Sequence, residues 1–132
     1  MIVLPLQRAT HLVGLALEDR RVAATQAEAH VLAHLAEHAE LSVRELQRRA
    51  VFRPSTLTAV LDRLQSRELV RRATNPSDRR SIVVRLTPRG RTAARRVTRA
   101  IGDLDSRVAD RVAAEDAAAF TRVLAAIEEE LG

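Results

Sequence analysis

Between Pro54 and Gly90 the apolar repeat changes period, and no single regular element accommodates both halves. Leu57, Val60, Leu61 and Leu64 recur at helical spacing. On a wheel of about 100° per residue they share one face, with Ser55, Ala59, Asp62 and Ser66 opposite and Thr56, Thr58 and Arg63 on the flanks. Pro54 suits the first turn of this helix, where a missing amide costs nothing. After Leu69 the period drops to two. Val70 to Ala73 reads as a short strand, and Ile82, Val84 and Leu86 alternate with Val83 and Arg85 in a second. The connection Thr74 to Ser81 is turn-forming and longer than the roughly 2 to 5 residues of an ordinary hairpin loop. The segment is therefore a helix with small polar groups on its outer face, followed by a hairpin with a long basic tip.

Charge concentrates on the same part of the chain. Residues 44–99 hold 16 arginines and 4 acids, a net of +12, whereas the remainder holds 6 arginines and 13 acids, a net of −7. The total of +5 conceals this polarity, and a basic region of such density implies a polyanionic partner. All 22 basic residues are arginine. With so much Ala and Val beside them, this reads as the codon bias of a GC-rich genome, so the positions of the arginines carry information and their identity does not.

The flanking sequence supplies further helices. Leu6, Ala9, Val13, Ala16 and Leu17 mark an amphipathic helix over about 2–18. Thr25-Gln26-Ala27-Glu28 has the form of a capping box opening a second helix that runs to about His38. Ser42-Val43-Arg44-Glu45 repeats the device and opens a short third helix with Leu46 and Ala50 inward. Thr87-Pro88 starts a fifth, with Thr as N-cap. Its residues Val97, Ile101, Leu104 and Val108 step by four, three and four, as in a coiled-coil seam. A last helix carries Phe120, Val123, Leu124, Ile127 and Leu131, and the nearest candidate for a break lies around Val112 to Glu115.

Composition narrows the classes. A chain of 132 residues has one domain's worth of core, and with Phe52 and Phe120 as its only aromatics that core must be Leu, Val, Ile and Ala between helical layers. The absence of cysteine excludes disulfides, thiol redox sensing and Cys-ligated zinc. Met1 to Leu6 shows no basic leader, and no window is apolar enough for a membrane span, so a cytoplasmic location with no membrane partner is expected. No nucleophile, base and orienter can be grouped, and Gly-rich phosphate loops, His-Glu-His metal motifs and Gly-x-Ser-x-Gly turns do not occur, so the chain does not read as an enzyme and needs no cofactor.

From about Thr25 to Gly90 the sequence resembles the MarR-type winged helix-turn-helix transcriptional regulators. The matching residues are Leu41-Ser42 before a short helix ending at Ala50, then Ser55-Thr56-Leu57-Thr58 and Leu61-Asp62-Arg63-Leu64. Leu69-Val70-Arg71-Arg72, Asp78-Arg79-Arg80 and Leu86-Thr87-Pro88-Arg89-Gly90 follow. Glu68 departs from the pattern, because such proteins usually have glycine just before the Leu-Val of the strand. A left-handed helix end is strained for a non-glycine residue, so a different exit from the helix is anticipated there.

The resemblance implies a mainly α fold: a winged helix-turn-helix with a two-stranded β wing and a helical dimerisation region formed by the N- and C-terminal helices. One protomer spans 1–132, with a DNA-binding lobe at about 25–90 and dimerisation helices in 1–24 and 91–132. The partners implied are double-stranded DNA, a second copy of the chain and a small-molecule effector. The function implied is a homodimeric repressor of a pseudo-palindromic operator, relieved by that effector. Ser42, Arg53, Ser55, Thr56, Thr58, Ala59 and Arg63 would face DNA, the short side chains letting the backbone approach base edges. Arg79 and Arg80 would enter a narrowed minor groove. Asp62 and Asp78 are candidates for bracing the wing. Asp62 would pair with Arg79 or Arg80, or else with Arg63, Ser66 or solvent. The effector cleft would lie among the first, second and fifth helices, with His11, His30 and Arg95 as candidates. His30, His34 and His38 step by four and have the spacing of metal ligands, although their place beside Val31, Leu32 and Leu35 equally suits a helix boundary, and no metal is assigned. The rival reading is a dimeric helical module that binds an acidic protein partner without specific DNA recognition; structured RNA is a third candidate.

Overall fold

The computed structural model describes residues 1–18 and 23–132. Residues 19–22, within the stretch expected to dimerise, lie outside the described residues. The elements run α1 (Val3–Leu17), α2 (Gln26–Glu37), β1 (Glu40–Ser42), α3 (Val43–Ala50), α4 (Pro54–Ser66), β2 (Val70–Asn75), β3 (Asp78–Leu86), α5 (Pro88–Ala109) and α6 (Ala114–Leu131). The chain divides into two compact units, 1–100 and 101–132.

Local signals set most helix starts. Thr25 and Glu28 form the full capping box at the head of α2. Ser42 caps α3 by accepting from the Glu45 amide at 3.0 Å, while the Glu45 carboxylate turns to Arg48 instead of closing the box. At the head of α5 the Thr87 hydroxyl accepts from the Gly90 amide at 2.9 Å and donates to the Glu68 carbonyl at 2.6 Å. One buried hydroxyl thereby ties the start of α5 to the exit from α4.

The core of the first unit forms where these helices meet the sheet. Val31, Leu32 and Leu35 of α2, Leu46 and Ala50 of α3, and all four apolar residues of the α4 stripe are buried together with Val70, Val84, Ala94 and Val97. Full removal of a Val or Leu side chain from water stabilises the fold by about 1.5–3 kcal/mol. In the second unit Ile101, Leu104, Val123, Leu124 and Ile127 are half-buried, and Phe120 and Leu131 are exposed.

The sheet differs from expectation in two respects. It has three strands, in the order β1-β3-β2, because Glu40–Ser42 pairs antiparallel with β3, Leu41 opposite Val84. Three residues are too few to show a period, so β1 left no signal in the sequence. The strands of the hairpin also extend further than the alternation indicated. Asn75 pairs with Asp78, which reduces the long loop to a turn at Pro76-Ser77, and the register shifts at Thr74/Asn75. That bulge accommodates the extra residues of β3 around Arg79 and Arg80. Their side chains are polar and exposed, and a strand without an apolar face is invisible to an alternation test.

Glu68 does adopt the left-handed conformation, with φ 58°. The Leu69 amide reaches the Leu64 carbonyl and the Glu68 amide reaches the Gln65 carbonyl, both at 2.9 Å, which is the Schellman termination that glycine normally serves. The anticipated change of exit is therefore corrected: the chain keeps the turn and puts a glutamate in it. Val51, at the end of α3, is left-handed as well, with φ 55°.

Candidate nucleic-acid interface

Helix α4 presents Ser55, Thr56, Thr58, Ala59, Asp62 and Arg63 to solvent. Its start is fixed by Pro54 in the first turn, and its inward face by the buried Leu57, Val60, Leu61 and Leu64. The Thr58 hydroxyl donates to the Pro54 carbonyl at 2.9 Å, so it is partly satisfied within the helix. Before α4 an open furrow of about 680 Å³ runs along the turn between α3 and α4, lined by Arg44, Gln47, Arg48, Val51, Phe52, Arg53 and Pro54. Arg44 and Arg53 have no carboxylate within ion-pair distance among the described residues, and the same holds for Arg79 and Arg80. Ser42 is half-buried and its hydroxyl serves as the α3 cap.

The Asp62 carboxylate is held by neither Arg79 nor Arg80, nor by Arg63; Ser66 donates to the Asp62 backbone carbonyl at 2.9 Å and not to its side chain. Its Oδ1 accepts from Arg72 Nη2 at 2.6 Å, and Arg72 Nε donates to Gln65 at 2.8 Å. Arg72 sits near the base of β2, within reach of the outer face of α4, whereas Arg79 and Arg80 lie towards the hairpin tip. The contact still joins α4 to the hairpin, through a different arginine. Asp78 acts inside the turn, where its Oδ1 accepts from the Arg80 amide at 3.0 Å, and Asn75 does the same for the Ser77 amide. It does not reach α4.

Arg63 turns back towards α2. Its Nε donates to Glu28 Oε1 at 3.3 Å, and Arg67 Nη1 donates to Glu28 Oε2 at 2.7 Å. Glu28 was legible as a capping residue; its bond to two arginines of another helix was not, because nothing local links positions 35 and 39 residues apart.

The histidines do not assemble a metal centre: among the described residues no group of three His, Asp or Glu side chains stands close enough to hold an ion. The His30 ring meets His34 edge-on at 4.8 Å and Phe52 at 5.5 Å. Partial burial, then the neighbouring His30, pushes the His34 pKa below its usual value, with Arg49 and His38 acting the same way and Glu37 opposing. Arg95 lines a recess of about 320 Å³ with Arg91, Leu35, Ala36, Ala39, Leu86 and Ala94; His11 and His30 are not among its walls.

Helix-turn-helix α3-α4 followed by the β2-β3 hairpin and closed by β1 is a winged helix. Residues 24–82 match the model of the MarR family. The HTH-type transcriptional repressor MdtR of Bacillus subtilis is 41% identical over 66 residues, 50% of this chain and 43% of that protein. An HTH-type transcriptional repressor of Mycobacterium tuberculosis is 34% identical over 90 residues, 68% of this chain and 65% of that protein. The chain thus matches less than two thirds of the length of either relative. A mutant MarR from E. coli, solved complexed with operator DNA, superposes with a TM-score of 0.75 at 27% identity, covering 95% of this chain and 94% of that one. The winged helix at residues 24–82 is a MarR-family domain, and MarR is a family of transcriptional regulators.

No helix among the described residues is long and apolar enough to cross a membrane.

Proposed function

We propose that the protein is a transcriptional repressor that binds double-stranded DNA as a homodimer on a pseudo-palindromic operator. The observation that carries this reading is the outer face of α4, small and polar at Ser55, Thr56, Thr58 and Ala59, set between arginines with no acidic partner among the described residues: Arg44 and Arg53 before it, Arg79 and Arg80 on the wing. The second helix of a helix-turn-helix enters the major groove by its N-terminal residues, and short side chains there allow close approach. Thr and Ser hydroxyls would bond base edges or phosphates, Ala59 would touch a thymine methyl, and the wing arginines would sit in the minor groove. Two copies place two such helices about 34–36 Å apart, one turn of duplex. The recess at Arg91 and Arg95 is the effector site on this reading, and its occupant relieves repression by binding the non-operator state more tightly.

The test is binding to the protein's own upstream region against random duplex, at two salt concentrations, with an Arg79→Ala, Arg80→Ala double variant alongside. If the dimer neutralises about 6–10 phosphates, affinity falls roughly 10³- to 10⁵-fold between about 50 and 200 mM salt. The variant loses affinity and part of the salt slope. Equal, salt-insensitive binding to both duplexes overturns the reading in favour of an acidic protein partner.

A further inference from the structure

We propose that Glu28 is a positioning residue for DNA binding, acting through Arg63; this rests on the operator-binding reading above. Glu28 is 3% exposed, yet it lies on α2 and contributes nothing to the outer face of α4. Its carboxylate is shared among three donors: the Thr25 amide at 3.4 Å, Arg63 Nε at 3.3 Å and Arg67 Nη1 at 2.7 Å. Arg67 is committed inward at both ends, since its Nη2 donates to the Ala23 carbonyl at 2.5 Å. Arg63 is not. A guanidinium carries five donors in a rigid fork. Glu28 engages the one on Nε, and the Nη groups have no acceptor among the described residues while the side chain is 51% exposed.

A carboxylate on Nε fixes the plane of the fork and leaves the paired Nη edge available, which is the edge that grips a phosphate in bidentate fashion. Arg63 stands on the solvent face of α4, one turn beyond Ala59. Held there by a buried anion, it meets the backbone phosphate without first losing its rotamer freedom. The sequence placed Arg63 on the DNA-facing surface but held no sign of the buried carboxylate that orients it.

The test is a double-mutant cycle read on operator affinity and its salt slope, with the thermal melt of each variant recorded in parallel. Glu28→Gln keeps an acceptor and a capping-box residue but removes the charge. It lowers operator affinity about 3- to 10-fold in the native background and lowers the salt slope by up to about one per protomer. In an Arg63→Ala background the same substitution leaves affinity within about 2-fold, because the group through which it acts is gone. Arg63→Lys, which retains the charge on a surface position but has no Nε, weakens binding and is equally indifferent to Glu28→Gln, so the inference stays testable if the Glu28 variant alone fails to fold. The inference is overturned if Glu28→Gln raises affinity, as simple removal of a negative charge near DNA would do. It is also overturned if the effect is the same with and without Arg63, or if Arg63→Lys binds as the native protein does. Absence of salt-sensitive DNA binding by the native protein overturns the operator reading itself and is seen before any variant is made.

Discussion

Glu68 holds a backbone conformation that disfavours any side chain. A left-handed L-residue costs about 1–2 kcal/mol, and glycine removes that cost at the expense of a more flexible unfolded chain. The Glu68 side chain returns little, since its contact with Arg89 spans 3.7 Å between two exposed groups. Glu68→Gly is therefore expected to stabilise the protein by about 0.5–1 kcal/mol, seen as a melting temperature raised by roughly 2–5 °C. A melt unchanged or lowered would show that the glutamate makes a contact of real value. His34 supplies the second prediction at this scale. Its pKa is lowered in the fold by burial first and by His30 next, with Arg49 and His38 adding and Glu37 opposing. Between that lowered value and the unfolded value of 6.5 the unfolded chain binds more protons, so stability rises with pH across the window and is lost as pH falls through it. His34→Gln should flatten the melting temperature between neutral and mildly acidic pH; an acid-side slope identical to that of the native chain would exclude His34 as its source. Neither feature was fully legible. The motif flagged position 68 as unusual, but the sequence held no sign that the backbone would keep its turn, and the His34 environment depends on burial against other elements.

At the scale of elements, what was legible and what was not divides by sequence distance. Thr25 with Glu28, Ser42 with Glu45, and Thr87 with Gly90 are separated by three residues, and each marked a helix start that the structure realises. Arg72 with Asp62 and Arg63 with Glu28 depend on how α4 meets β2 and α2, and sequence reasoning chose other partners for both acids or none. Strand β1 was missed for its shortness and the outer hairpin for its polarity. The α4-β2-α5 junction is the most tightly specified of these meetings. A Cβ built on Gly90 would lie 1.7 Å from the Leu69 carbonyl oxygen, a backbone atom that cannot swing aside. Gly90→Ala must push α5 away from the start of β2 and is expected to destabilise by about 1–3 kcal/mol or more. Chemical denaturation measures it, and a loss under about 0.5 kcal/mol would mean that the junction yields easily.

For the molecule as a whole, the unburied apolar surface of the isolated chain bears on assembly. Leu4, Leu12, Leu15, Phe120 and Leu131 are all more than half exposed. Such surface is what an isologous two-fold interface would cover. Sedimentation should give twice the 14.6 kDa chain mass, with Phe120→Glu shifting the distribution towards a single chain and weakening operator binding with it. A native protein sedimenting as one chain at micromolar concentration would overturn the dimer. The wing is built on a different principle. Its two ends are fastened at the root, where the Thr87 amide bonds the Leu69 carbonyl at 3.0 Å and the Thr87 hydroxyl bonds Glu68, while the tip is only Pro76-Ser77 and its neighbours. A loop sealed at its neck can lengthen, shorten or change its residues without disturbing the helix beneath it. Whatever the tip touches is therefore free to drift over generations, on a scaffold that does not have to be reinvented each time.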